Sequence, residues 1–376
     1  MTLNLFAAAL VVLLAVAATI GIVRAMTTTG TKFEHEQVSN TTLIRRTSIA
    51  AILTAITLIL SAAHLFTHAI PQWLTSEWTK ALLITPVMFL SGYSIHIDGW
   101  KAWHARRPDL QTLASLGTSA AYAYSLIVCF TGDQLPEQLR STYFEFVGVT
   151  ITLVLAAQIT ERLWLPANPK FPLQQVVNRI AQLLVPIVLI IATWTFVIWL
   201  MLSPQPAFVR ALVTAISVLT IACPCAFAWV ITLPMTFAVH RATQAGLDAQ
   251  NLLSWHNCEA HCAHNDVPQR GEEAEHVIED SQKSSAVPSE VLQHSKVNDE
   301  HNSAIEQLKK RLLHVITANI AFAVLFAIVT IPIAAGVLYP LIGWSFNPVL
   351  ASMAMIVPCI GVALISLTLK LPLPRR

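Results

Sequence analysis

Residues 210–238 read RALVTAISVLTIACPCAFAWVITLPMTFA: after Arg210 the run carries no charge, and Cys223-Pro224-Cys225 interrupts it near the middle. About 20 helical residues cross a hydrocarbon core, so a run of this length predicts a membrane-spanning helix. Pro224 has no N–H to offer the carbonyl of Thr220, and the helix is expected to loosen there and expose backbone oxygen beside two thiols. Deprotonated sulfur at such a break suits soft cations, Cu(I) or Zn(II), better than Mg(II) or Ca(II). Two cysteines beside a kink also serve as small apolar packing residues, and the local sequence leaves both readings open.

The rest of the chain repeats the apolar pattern. Of 376 residues 55% are hydrophobic and 12% charged, with a mean hydropathy of +0.61. That composition excludes a set of soluble domains and predicts an all-α polytopic membrane helix bundle. Apolar stretches near 3–23, 45–68, 77–97, 112–131, 142–160, 181–202, 210–238, 312–338 and 346–369 give nine expected transmembrane helices. The organisation follows: a membrane anchor at 1–25, a cytoplasmic linker at 26–44, a six-helix membrane part at 45–247, a polar linker at 248–308 and two last helices at 309–376. The first stretch lacks an early positive region, and Arg24 follows it without a clear small-residue cleavage site; it reads as a retained anchor rather than a leader.

Alternating the connections across the membrane places 20 of the 23 Lys and Arg residues on one face, leaving Lys80, Arg140 and Arg210 on the other. The positive-inside rule makes the rich face cytoplasmic, with the N-terminus outside, the C-terminus in the cytoplasm and the cell (plasma) membrane as the expected location. The net charge is +2, and the basic residues flank apolar segments without forming a stripe, which argues against nucleic acid. Most of the six cysteines lie in or beside apolar stretches, which argues against a secreted disulfide framework.

Residues 248–308 hold more than half of the acidic residues and a Ser/Glu/Gln/Asn-rich tract from Asn265 to Ser303, the composition of a disordered or loosely helical linker. Within it His256, Cys258, His261, Cys262 and His264 form H-x-C-x-x-H-C-x-H, a thiol and imidazole set suited to Zn(II) or Cu(I), although a short cluster without a folded frame binds weakly. His64, His68 and His96 sit within or at the outer ends of spans. His64 and His68, four apart, share a helical face, where imidazoles either bind metal or simply reach for the interface.

Ala222-Cys-Pro-Cys-Ala226, followed by Arg241 and Gln244-Ala-Gly246-Leu, resembles the membrane motif of heavy-metal P-type ATPases, especially the Cu(I) exporters. The resemblance extends through Trp100-Lys-Ala102, Thr112-Leu113, Leu116-Gly-Thr-Ser-Ala-Ala-Tyr122 and Tyr143-Phe-Glu145. It continues in Ile151-Thr-Leu-Val-Leu155, Gln158, Lys170, Pro172, Gln174, Arg179-Ile-Ala181, Ile331 through Pro340 and Met353-Ala-Met355. It thus covers 45–247 and 308–370 and implies that family's transmembrane domain. The family's actuator domain, with its TGE loop, would fall between Glu161 and Lys170, where eight residues stand. Its phosphorylation and nucleotide-binding domains, with the DKTGT aspartate, would fall where 248–308 stands. This sequence contains neither motif and no ATP or Mg(II) site, so a pseudoenzyme is expected, unable by itself to couple ATP hydrolysis to transport.

The resemblance also implies a ligand set. Cys223, Cys225 and Met355 are kept; the family's Tyr-Asn pair appears as Phe326-Ala327 and its Ser-Ser pair as Pro358-Cys359, which makes Cys359 a candidate third thiol. At the cytoplasmic mouth the family's Met and Asp appear as Leu110 and Asn178, while Glu145 remains, either as a transfer ligand or as a carboxylate paired within the bundle. The family's platform for a cytosolic metal chaperone corresponds to Gly92 through Trp103, with Lys101, Arg106 and Arg107 close by; its second glycine is displaced to Gly99. A bend there would present a basic surface to an acidic chaperone or to anionic lipid, and positive-inside anchoring accounts for the same charges. Three functions are compatible: a degenerate pump relative that binds or passes a soft metal without hydrolysis, a scaffold or metalloenzyme-assembly subunit, or the membrane half of a pump completed by a partner subunit.

Overall fold

The computed structural model describes residues 40–66, 76–105, 108–136, 139–164, 172–203, 206–222, 225–244, 289–337 and 348–370, with isolated positions in the first apolar stretch. Among them every regular element is helical: α1 Asn40–Phe66, α2 Glu77–Pro86, α3 Tyr93–His104, α4 Leu110–Thr131, α5 Phe144–Trp164, α6 Pro172–Leu202, α7 Ala207–Ile221, α8 Cys225–Gln244, α9 Ser289–Ala334 and α10 Pro348–Leu367. Six helical segments are long and apolar enough to cross a bilayer, with Ala207–Gln244 taken as one, and the bent pair α2 and α3 brings the number to seven. The apolar part of α10, Ala354–Leu367, is shorter. The chain is an integral membrane helix bundle. Of the nine stretches expected, eight correspond to these helices; the first, 3–23, lies mostly outside the described residues.

Local chemistry sets the element ends. Ser76 caps α2 by accepting from the N–H of Thr79 at 3.3 Å. Pro86 cannot continue the ordinary ladder, and residues Val87–Ser91 form a π turn, after which the chain bends by 58° at Gly92 into α3. A Cβ at Gly92 would stand 2.7 Å from the carbonyl oxygen of Met88, so the bend requires glycine. Asp109 opens α4 with a capping box, its carboxylate accepting from the N–H of Thr112 at 2.9 Å while the Thr112 hydroxyl accepts from the N–H of Asp109. Helix α7 ends at Ile221 and α8 begins at Cys225; Cys223 and Pro224, where the loosening was expected, lie outside the described residues.

In the packing, α6 and α7 form an antiparallel hairpin, α3 lies on α4, and α8 touches α5, α9 and α10. The largest core cluster joins α1 through α7 to Cys225, to Ala327 and Ile331 of α9 and to Met355 of α10. Close approaches rely on small residues: a Cβ at Gly148 of α5 would stand 2.7 Å from Thr54 Oγ1 of α1. Outward positions carry large apolar groups such as Leu202 (79% exposed) and Phe130 (75% exposed), a surface made for lipid. Helix α9 has 46 residues and so extends about 70 Å, more than twice a hydrocarbon core. It begins at Ser289, within the stretch assigned to the polar linker, whose last part is therefore helical.

Candidate metal centre

Helix α8 starts with Cys225, fully buried, and α10 brings Cys359 beside it, with the two Sγ atoms 3.6 Å apart. Two thiolates on one tetrahedral metal stand about 3.8 Å apart, and on a linear one about 4.6 Å, for metal–sulfur bonds of about 2.3 Å. The observed gap lies just below the first value, so a small opening admits a soft cation. Met355 precedes Cys359 by one turn on the same side of α10 and is 1% exposed; its thioether accepts from the Thr150 hydroxyl of α5 at 3.6 Å. The third thiol expected from the sequence is thus close to Cys225. Cys223 itself lies outside the described residues, as do His256, Cys258, His261, Cys262 and His264 and the side chains of His64, His68 and Asn178. Among the described residues no group of three or more His, Cys, Asp or Glu side chains converges as a metal cage.

The residues that replace the family's other ligands have a shared fate. Phe326, Ala327 and Pro358 line a small apolar recess with Ala222, Ala226 and Leu184, with room for about one water-sized molecule. Among the described residues, the side chains lining this recess are all apolar.

Glu145 is paired within the bundle, one of the two readings expected for it, but not at the mouth where it was expected. It lies in the first turn of α5, reached from the far end of α4 through a short connection, and so sits at the opposite end of the bundle from Leu110, with which it was expected to form a mouth. There Lys80 Nζ lies 3.1 Å from Glu145 and 3.0 Å from Glu77, Ser61 donates to Glu145, and Thr142 donates to Glu77 at 2.5 Å. The side chains of Lys80 and Glu145 are 13% and 17% exposed. A carboxylate already holding an ammonium and a hydroxyl is a paired structural group, as buried charges must be. Sequence reasoning missed Lys80 as its partner, although Lys80 is one of three basic residues on the sparsely charged face.

Asn319 was also missed. Pro234 leaves the carbonyl of Val230 without its helical donor, and the Asn319 amide supplies one from α9 at 3.3 Å while donating to Ser366 of α10 at 3.0 Å. A lone Asn in an apolar span was the signal. His96 lies within α3, one of the two placements expected for it, with its ring 3.0 Å from the Ser115 hydroxyl of α4. Gly99, expected as the displaced second glycine of a bend, serves instead as the contact of α3 with α4, where a Cβ would stand 2.8 Å from the carbonyl oxygen of Gln111.

No protein-family signature matches the chain. It is similar to the copper-exporting P-type ATPase of Staphylococcus saprophyticus, 34% identical over 117 residues, and to that of Staphylococcus aureus strain bovine RF122, 34% identical over 116 residues. Each match takes in 30% of this chain and 14% of the relative's length. The chain is thus a helical membrane protein that is similar to those copper exporters over a small part of their length.

Proposed function

We propose that this protein binds a soft metal ion, Cu(I) before Zn(II), in the bundle interior through Cys225, Cys359 and Cys223, with Met355 as an alternative ligand, and passes it on or hands it over without ATP hydrolysis of its own. The observation that carries the reading is the 3.6 Å approach of Cys225 and Cys359 from two different helices. Paired sulfur ligands from two helices match the ligand preference of Cu(I), and the similarity to copper exporters points the same way. The eight residues between Glu161 and Lys170, and the missing DKTGT and TGE sequences, support the absence of a phosphorylated intermediate. An aromatic α3 beyond the bend, with Trp100 63% exposed and Lys101 and His104 in its last turn, supports contact with anionic lipid or with an acidic cytosolic metal chaperone over Gly92–Trp103. The proposed setting is the plasma membrane, with the N-terminus outside, the C-terminus in the cytoplasm and 248–308 as a cytoplasmic linker to the last two helices.

The test is metal content of purified protein, wild type against Cys223→Ser/Cys225→Ser. About one Cu(I) per chain is expected in the wild type, with sulfur-dominated X-ray absorption at about 2.2–2.3 Å. The same preparation should take no acid-stable label from ATP. The apolar recess at Phe326, Ala327 and Pro358 favours a second reading, an assembly subunit that keeps the fold without metal traffic; a wild type that takes up no copper would overturn the first reading and leave this one.

A further inference from the structure

We propose that Cys359 and Cys225 also form a reversible, hydroperoxide-driven disulfide that ties α10 to α8 and removes the metal-binding sulfurs. The inference goes beyond the copper reading and rests on it only in its consequence for metal binding. Two observations carry it. The sulfurs stand 3.6 Å apart, so bond formation requires an approach of about 1.6 Å, within reach of side-chain rotation and a slight helix shift. The two thiols differ in access: Cys225 is fully buried while Cys359 is partly exposed, which assigns them different steps.

The reaction balances with the peroxide as the two-electron oxidant. The Cys359 thiolate attacks one oxygen, the O–O bond breaks, and sulfenic acid and hydroxide result, the hydroxide taking up the proton that Cys359 gave up. The Cys225 thiolate then attacks the sulfenyl sulfur, the S–O bond breaks, and the disulfide forms as the second hydroxide leaves and takes the Cys225 proton. Two thiols and one hydrogen peroxide become one disulfide and two waters. A dithiol reductant reverses the change.

The chain offers its own assay, since a cut within 266–303 separates α8 from α10 and leaves Cys359 as the sole cysteine of the C-terminal fragment. In a Cys258→Ser/Cys262→Ser background, full-length protein is exposed to hydrogen peroxide, blocked with maleimide, cleaved at a protease site introduced in that stretch, and run without and with reductant. We expect one band without reductant and two with it, two bands in both lanes for Cys225→Ser and Cys359→Ser, and an unchanged cross-link for Cys223→Ser. Separate fragments from oxidised background protein without reductant would overturn the proposal, and so would a cross-link abolished by Cys223→Ser but kept by Cys225→Ser. Cys225→Ser should instead accumulate a sulfenate at Cys359 that dimedone captures and peptide mass spectrometry locates; capture elsewhere or none would overturn the assigned roles. Copper binding, measured in parallel, should fall at least tenfold on oxidation and return on reduction. A cross-link in protein that never binds copper would sink the metal reading and leave this one standing.

Discussion

The sulfur pair at Cys225 and Cys359 and the charge cluster around Lys80 both set reactive side chains between helices of an apolar bundle, under opposite rules. A neutral thiol is a small apolar group and is buried at little cost, so the pair is stable with no cation near it and leaves room for one to arrive. An ammonium and a carboxylate are costly to bury apart, so Lys80, Glu77 and Glu145 are stable only together, and the cation of that site is already covalently part of the chain. Under the proposed function, the difference separates a place that could exchange its occupant from one whose occupant is fixed, with Glu145 paired in the bundle and the cysteines as the proposed ligands.

That contrast breaks most visibly at sulfur. Cys223→Ser/Cys225→Ser should lose bound copper altogether by elemental analysis; one copper retained per chain would move the metal elsewhere. Next in size is Lys80→Met, which strands two carboxylates and should cost about 3 kcal/mol in detergent unfolding, with Lys80→Arg closer to wild type and copper stoichiometry unchanged. Copper lost from folded Lys80→Met protein would draw Glu145 back into the metal path. Cys359→Ser should weaken copper binding roughly tenfold, about 1.4 kcal/mol, and reduce the sulfur count seen by X-ray absorption, whereas an unaltered spectrum would confine the centre to α8 and the residues before it. Asn319→Leu, which leaves the Val230 carbonyl without a donor, should cost about 1 kcal/mol, read as a lower unfolding temperature. Cys129→Ser, at the Lys80 end of α4, should change stability by less than about 0.5 kcal/mol and leave copper untouched.

The spans were legible because apolar runs of membrane length leave few alternatives. The bend after Pro86 was legible only in part. Gly92 takes the turn, whereas Gly99 turned out to serve a contact between α3 and α4, and one sequence does not say what a glycine faces. The Lys80–Glu145 pair was hidden because its members are 65 positions apart and charge counting assigns residues to faces, not to partners. The proximity of Cys359 to Cys225 came from resemblance to a family; spacing of 134 positions carries no such information. The start of α9 was masked by composition, since charged, polar residues that resemble a linker also form the exposed turns of a long helix.

That long helix has a mechanical meaning. With 46 residues it outreaches the membrane, and its membrane half bears Ala327 against the core cluster that holds Cys225. Pivoted near the membrane surface, a stiff rod of about 70 Å swung by about 5° carries a point about 30 Å from the pivot through about 2.6 Å. A displacement of that order exceeds the roughly 1.6 Å that separates two touching thiols from a bond. A load applied to the outlying turns of α9 would reach the sulfur pair through the packing of α9 against α8 and α10, the two helices that carry the thiols.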